Sequence, residues 1–314
     1  MKKLLVSLFS FLLFACCFIL PLPSHAASVP DTSVIQDGIR FSECVRPYNG
    51  GVLIANYGSQ HKTPAIDEVK GYILYRKNGQ TSVLIPPGVL HWPSGMEVKD
   101  NWLFVCDGNK LRVYDLNHPE KAPQTIPFPP PDYLKAAAVE GNTLYVSSDN
   151  MGRIFTFDIT HPENMSRVKP KLWLELQGTK CMAVRDGVMY ITAAPENGPD
   201  VEEADMENVI YRISDLRHPK AEKFVVKKIY SGDPAADKNT SIYFEGITFS
   251  EDGYALYVTD HRVKTGAILA VDIGTKEMST IYEAEGLDPA DLTQTEKVLY
   301  IPDMKNHRIV KLEL

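Results

Sequence analysis

The chain has 314 residues, of which 44% are hydrophobic and 23% charged, and its formal net charge is −7. This composition excludes disordered, collagen-like and disulfide-scaffold proteins. The acidic balance argues against a nucleic-acid partner, because binding a phosphate backbone requires clustered positive charge. Cationic or neutral ligands are easier to accommodate.

The first 26 residues have the pattern of a secretory signal peptide. A basic start, Lys2-Lys3, precedes an uncharged apolar run, and Ser24-His25-Ala26 has the small-x-small form of a cleavage site. We expect cleavage near Ala26 and export to the periplasm or the extracellular space. An uncleaved membrane anchor is the alternative. No segment of the remaining region, 27–314, is apolar enough to cross a bilayer.

A short pattern recurs six times in the region 27–314. It consists of an apolar residue, an aromatic or apolar residue, Val or Ile, a small residue, and then Asp or a polar substitute. The copies occupy 52–56, 103–107, 144–148, 189–193, 256–260 and 299–303. Copies that start 41 to 67 residues apart are typical of one four-stranded propeller blade each.

The flanks of each copy complete a blade. A strand and in most copies a tight turn with glycine precede each copy, a third strand follows it, and a fourth strand follows in five copies. The sixth copy stops at Leu314 after its third strand, so residues 32–36 are expected to supply the missing one. We therefore predict an all-β fold, a six-bladed β-propeller over 27–314 as one domain, closed by its N-terminal strand.

Three cysteines remain after the signal peptide: Cys44, Cys106 and Cys181. All three lie in apolar strand-like runs, which favours buried free thiols over a metal site. One disulfide is the alternative in an exported protein.

One face of such a propeller carries the loops that lead into each first strand and those that join second to third strands. The first set places these residues at the channel mouth: Glu43, Ser94, Lys135, Lys180, Glu245 and either Asp288 or Pro289. The second set adds Asn56, Asp107, Asp149, Asp260 and Asp303, and Trp92 lies beside them. Converging carboxylates can bind a hard cation such as Ca²⁺. Without a metal they raise one another's pKa, which leaves one carboxylate as a general base.

The sequences Phe41-Ser42-Glu43-Cys44-Val45 and Glu245-Gly246-Ile247-Thr248-Phe249-Ser250-Glu251-Asp252-Gly253 carry a family resemblance. Together with six blades, they make the chain similar to the gluconolactonase/regucalcin family, and more loosely to NHL-type and strictosidine-synthase-like propellers. The resemblance implies lactone hydrolysis with one divalent metal, held by a Glu of blade one, an Asn of blade four and an Asp of blade five. Glu43 matches the first ligand and Glu245 stands where the Asp would be.

The chain departs from that family pattern at two places. Lys180 stands at or beside the Asn position, and an ammonium group cannot ligate a metal and would repel one. We therefore expect Lys180 to take the metal's electrostatic place between Glu43 and Glu245. The substrate-contacting Arg and Asn of blade three are also missing, with Lys135 at that point.

Two functional hypotheses follow. In the first, a monomeric exported propeller binds a small polar ligand and hydrolyses a lactone or ester. Glu43 and Glu245 would bind metal or act as base, and Lys180 or Lys135 would stabilise the oxyanion. In the second, a non-catalytic propeller binds a protein, glycan or envelope component through its loops, including the acidic segment 194–208. The charged ring can also be a set of structural salt bridges around a water-filled channel. We expect His261 to be incidental.

Overall fold

The computed structural model describes residues 31–59, 70–194, 207–228 and 240–314. Within these ranges, 24 β-strands form six antiparallel sheets of four strands each, which confirms the predicted six-bladed β-propeller. None of the helical segments in this part of the chain has the length and hydropathy that a bilayer crossing requires. The predicted signal peptide and most of the acidic segment 194–208 lie outside the described residues.

Blades one to three follow the first strand in chain order. The strands are β1 (Thr32–Ile35); β2 (Ser42–Tyr48), β3 (Gly51–Asn56), β4 (Tyr72–Lys77) and β5 (Gln80–Ile85); β6 (Pro93–Lys99), β7 (Trp102–Asp107), β8 (Lys110–Asp115) and β9 (Gln124–Pro127); β10 (Leu134–Glu140), β11 (Thr143–Ser148), β12 (Arg153–Asp158) and β13 (Lys171–Glu175). A short 3-10 helix, Pro162–Arg167, precedes β13.

Blades four to six complete the ring. The strands are β14 (Thr179–Arg185), β15 (Val188–Ala193), β16 (Glu207–Ile213) and β17 (Glu222–Lys228); β18 (Ser241–Phe249), β19 (Ala255–Arg262), β20 (Thr265–Asp272) and β21 (Met278–Glu285); β22 (Thr293–Thr295), β23 (Val298–Asp303) and β24 (Arg308–Glu313).

The N-terminal strand closes the sixth blade, as predicted. β1 pairs antiparallel with β24, with Thr32 opposite Leu312 and Ile35 opposite Ile309. The sheet order is β1-β24-β23-β22, so the two ends of the described chain share one sheet. This pairing covers the edge that β24 would otherwise expose.

The recurring pattern forms the core of each blade. Its third residue is fully buried in all six copies, namely Ile54, Val105, Val146, Ile191, Val258 and Ile301. These residues lie in second strands, which have a sheet neighbour on each side and a blade against each face. Tight hairpins precede two of them, with Asn49 and Gly50 at φ 44° and 73° and Asp186 and Gly187 at φ 53° and 76°. Positive φ at both central residues is what two-residue hairpin loops require.

The three cysteines are free and buried, which confirms the thiol prediction. Burial raises the pKa of all three thiols, so they are poor nucleophiles.

Candidate functional site

The first strands of blades one to five share an irregularity at one end of the central channel. Their pairing with the second strand breaks at Glu43, Ser94-Gly95, Lys135-Ala136, Lys180-Cys181 and Glu245-Gly246. Such bulges interrupt the alternation of side chains and re-aim one of them. The first-strand residues predicted at the mouth in blades one to five therefore lie at bulges, whereas Asp288 of blade six does not.

Lys135 lies at the centre of the mouth. Its Nζ contacts Oε1 of Glu43 and Oε1 of Glu245. The three residues come from blades three, one and five, which alternate around the ring, so their side chains converge on one point. All three side chains are at most 13% exposed. Here one buried ammonium group lies between two buried carboxylates.

The expectation that Lys180 fills this place is corrected by the structure. Lys180 Nζ lies 3.7 Å from Oδ2 of Asp149, and its side chain is 28% exposed. It forms a partly exposed ion pair, and the cation between the two glutamates is Lys135 instead. The aligned positions are equivalent in both blades, but only the lysine of blade three contacts the glutamates of blades one and five.

A chain of alternating charges continues from Glu245. His261 Nε2 lies 3.0 Å from Oε2 of Glu245, and His261 Nδ1 lies 3.5 Å from Oδ1 of Asp288. Lys305 ends the chain, with Nζ at 3.3 Å from the same Asp288 oxygen. We call Glu43, Lys135, Glu245, His261 and Asp288 the mouth cluster.

Burial and neighbouring charge act in opposite directions on the pKa values of this cluster. Burial raises the pKa of Glu43, and the Lys135 ammonium offsets only part of that effect. Burial also acts to raise the pKa of Glu245, but Lys135 and His261 outweigh it and lower the value to about 2. For His261, burial is outweighed by Asp288 and Glu245, which raise its pKa to about 9. Near neutral pH His261 is therefore a cation, and Glu43 is the group closest to a proton-accepting role.

Aromatic side chains border the cluster. The ring of Tyr243 stacks on His261 with centroids 4.1 Å apart and 17° between the planes. Tyr57 packs against Trp92 with centroids 4.7 Å apart, which places the predicted Trp92 beside the mouth. Burial and the nearby Glu43 carboxylate raise the pKa of the Tyr57 phenol, so its hydroxyl stays protonated.

One carboxylate oxygen of Asp288 has no hydrogen-bond partner among the described residues. The residue is 6% exposed. Its Oδ1 faces His261 and Lys305, whereas its buried Oδ2 has no hydrogen-bond partner among the described residues. Buried carboxylate oxygens are normally satisfied, so this atom is able to accept a hydrogen bond from a group beyond the described residues, such as a ligand hydroxyl.

Other predicted ligand-binding residues lie inside the blades rather than at the mouth. Asn56, Asp107, Asp260 and Asp303 are at most 1% exposed. Asp107 Oδ1 accepts two hydrogen bonds of 2.7 Å from backbone N–H groups of the loop before β6, and Asp303 Oδ1 accepts one of 2.9 Å from the N–H of Asp288. These bonds tie the second strand to the loop that leads into the first, and so hold the mouth residues in place.

Ser94 also has an internal partner. Its Oγ donates to the backbone oxygen of Leu134 at 2.9 Å, and the side chain is buried. The bond joins blade two to blade three immediately before Lys135.

Sequence reasoning underestimated His261 and did not select Tyr57 or Tyr243. His261 directly follows the recurring aspartate of blade five, and β19 continues through Arg262. The strand thus carries the imidazole past the usual end of the pattern and into the mouth. A histidine immediately after a copy of the pattern was the available signal.

The residues at the mouth do not fit the divalent metal that the family resemblance implies. Lys135 Nζ already lies between the two glutamates that would be ligands. Among the residues that the structure describes, no group of three or more His, Cys, Asp or Glu side chains has the arrangement of a metal site.

No protein-family model matches the chain, and no curated protein matches it. Several solved β-propeller structures match it. A Trichoderma reesei carbohydrate-active enzyme of family AA12 matches with a TM-score of 0.62 and 12% identity over 92% of this chain and 96% of that one. Virginiamycin B lyase of Staphylococcus aureus matches with a TM-score of 0.54 and 11% identity over 90% and 99%. A protein assigned as a 6-phosphogluconolactonase, from Bacteroides uniformis, matches with a TM-score of 0.50 and 14% identity over 80% and 74%. At these identities the likeness establishes the propeller fold alone.

Proposed function

We propose that the chain binds a small polar ligand at the channel mouth through the mouth cluster, without a metal ion. The observation that carries this proposal is the buried ammonium of Lys135 between Glu43 and Glu245. These two glutamates stand at positions that match metal ligands in the gluconolactonase/regucalcin family, which the chain resembles. A ligand carbonyl or hydroxyl oxygen can accept a hydrogen bond from that ammonium. A ligand hydroxyl can donate to the unpartnered Oδ2 of Asp288. Tyr57 and Trp92 supply flat apolar surface beside these polar groups.

Hydrolysis of a lactone or ester is the reaction that these groups support best. Because burial raises the pKa of Glu43, its carboxylate is a stronger base than an exposed one and can take a proton from a water molecule. The hydroxide that forms adds to the substrate carbonyl, and the Lys135 ammonium stabilises the resulting oxyanion. When the tetrahedral intermediate collapses, the C–O bond to the leaving oxygen breaks. That oxygen takes the proton from Glu43, which restores the carboxylate.

A comparison of two carboxylates that each contact a cation tests the proposal. Glu43→Gln removes the base at the mouth, while Glu97→Gln makes the same change near the opposite end of the channel. We expect Glu43→Gln to abolish hydrolysis of a panel of sugar lactones and simple esters in a pH-stat assay, and Glu97→Gln to retain it. Equal activity of both variants would contradict a catalytic role for Glu43.

The same assay distinguishes hydrolysis from the alternative function, which is binding without catalysis. A non-catalytic propeller that binds a protein, glycan or envelope component would hydrolyse none of the panel. Its partner binding would depend on the acidic segment 194–208. We therefore expect a variant lacking residues 195–206 to retain lactone turnover, and loss of partner capture without any turnover would favour the alternative.

We also propose that the protein is exported. The basic, apolar and small-residue pattern of residues 1–26 supports this. N-terminal sequencing of the protein from its native host should start at Ala27, and an intact Met1 would contradict it.

A further inference from the structure

A second opening lies at the opposite end of the central channel. A cavity of about 420 Å³ is lined there by the C-terminal parts of the first strands of the blades. This volume falls within the range of roughly 300–1,000 Å³ that small-molecule pockets occupy. We call it the rear cavity.

A layer of small residues separates the rear cavity from the mouth cluster. The positions that follow the mouth residues are Cys44, Gly95, Ala136, Cys181 and Gly246. A Cβ atom on Gly95 would lie 2.6 Å from Cα of Ala136, and one on Gly246 would lie 2.6 Å from Cα of Asp291. The inner strands of blades two and three, and of blades five and six, are thus in close backbone contact at this level between the two ends of the channel.

Arg46 is the buried charge beside the rear cavity. Its Nη1 lies 2.8 Å from Oδ2 of Asp291 and donates to the backbone oxygen of Val45 at 2.7 Å. Its Nε lies 3.6 Å from Oε2 of Glu97, and the other Glu97 oxygen accepts a 2.9 Å hydrogen bond from the Val98 N–H. Both oxygens of Glu97, the one carboxylate among the lining residues, therefore already face donors of the protein.

Cationic side chains outnumber carboxylates among the residues that line the rear cavity. Three cationic side chains line it: Arg46, Lys99 and Arg185. Within the described residues, neither Arg46 Nη2 nor Lys99 Nζ has a hydrogen bond or an ion pair. Arg185 uses Nη1 to hold the backbone oxygens of Ser250 and Glu251, both at 3.1 Å. The rear cavity therefore has three cationic lining residues and one acidic one, whereas the chain as a whole has a net charge of −7.

We propose that the rear cavity binds a small organic oxyanion. A carboxylate or a phosphate can accept hydrogen bonds from the guanidinium of Arg46 at the bottom of the cavity. Lys99 and Arg185 then hold the rest of the ligand at the rim. This site is independent of the proposed function of the mouth.

Calorimetric titration of the full chain with citrate, inorganic phosphate and glycerol tests the proposal. We expect saturable binding of citrate or phosphate and none of glycerol, because only the first two carry the oxyanion. Binding of citrate but not phosphate would identify a carboxylate ligand, and the reverse a phosphate ligand.

Variants then locate the binding site. We expect Lys99→Gln to weaken association roughly tenfold, the usual order for a charge-assisted hydrogen bond. Arg185→Gln should act in the same direction. Lys121→Gln, an exposed lysine on a turn, and Glu43→Gln at the mouth should leave the affinity unchanged. The proposal is overturned by absence of saturable binding of both anions, by binding that Lys99→Gln does not weaken, or by binding that Glu43→Gln alone alters.

Discussion

The two ends of the channel contain the same elementary arrangement, a buried cation between two carboxylates. At the mouth Lys135 lies between Glu43 and Glu245, and at the rear Arg46 lies between Asp291 and Glu97. A buried cation between two carboxylates is therefore common to both ends and is weak evidence of function by itself. The two ends differ in the groups that surround this arrangement.

At the mouth the chain of charges continues through His261 to Asp288, and one Asp288 oxygen has no hydrogen-bond partner in the part of the chain that the structure describes. At the rear both oxygens of Glu97 face donors, and Lys99 Nζ and Arg46 Nη2 have no partner among the described residues. The mouth thus suits a ligand that donates as well as accepts hydrogen bonds, and the rear suits an anion.

The largest expected effect comes from removing the central cation at the mouth. Lys135→Met leaves two buried carboxylates without their common partner, which should lower the free energy of unfolding by about 3–5 kcal/mol. The matched change Lys180→Met breaks a partly exposed pair 3.7 Å long and should cost at most about 1 kcal/mol. Urea denaturation of both variants provides the measurement. Equal losses would show that Lys135 is not the cation on which the mouth depends.

A second prediction uses a group that only the mouth contains. The pKa of His261 is raised from 6.5 to about 9 in the folded protein. Its stabilising contribution, about 3 kcal/mol, is therefore complete below pH 6.5 and lost as the pH rises through 9. The free energy of unfolding should therefore decline across this pH window, with a slope that corresponds to at most one more proton bound by the folded state than by the unfolded state.

Replacing the imidazole removes that proton. His261→Gln should flatten the decline of stability between these pH values, whereas His161→Gln, on an exposed turn, should leave it in place. A decline that persists in His261→Gln would assign the titration to another group.

The third and smallest effect concerns the layer between the two ends. Gly95→Ala places a methyl group 2.6 Å from the backbone of blade three, so the strands must move apart. We expect a loss of about 1–3 kcal/mol in thermal unfolding. Gly274→Ala is the control, because its nearest neighbour is a side-chain atom at 3.4 Å. Unchanged stability of Gly95→Ala would mean that the inner strands of blades two and three are packed less closely than the structure indicates.

The six-bladed ring could be predicted from the sequence because each blade repeats the same pattern of buried apolar residues. Ile54 and its five equivalents must be buried between neighbouring sheets, and the spacing of the copies leaves room for four strands each. The place of Glu43, Lys135 and Glu245 at the mouth followed from aligning the first strands.

The pairing of these residues could not be predicted in the same way. Alignment assigns Lys135 and Lys180 equivalent positions, but which lysine reaches the glutamates depends on how blades one, three and five converge. His261 enters the site only because β19 extends past the pattern. The recurring aspartates resembled metal ligands by residue type, yet Asp107 and Asp303 bind backbone N–H groups within the blades.

The central claim is that Lys135 takes the place of a metal at the mouth. Thermal unfolding of the wild type and of Lys135→Met, each with saturating Ca²⁺ and with a chelator, tests it most directly. A ligand that binds only the folded state at 100 times its Kd adds about 2.7 kcal/mol of stability. We predict no shift of Tm with Ca²⁺ in the wild type, and a rise in Lys135→Met, where Glu43 and Glu245 no longer share an ammonium group. A Ca²⁺-dependent rise of Tm in the wild type that Glu43→Gln abolishes would contradict the account.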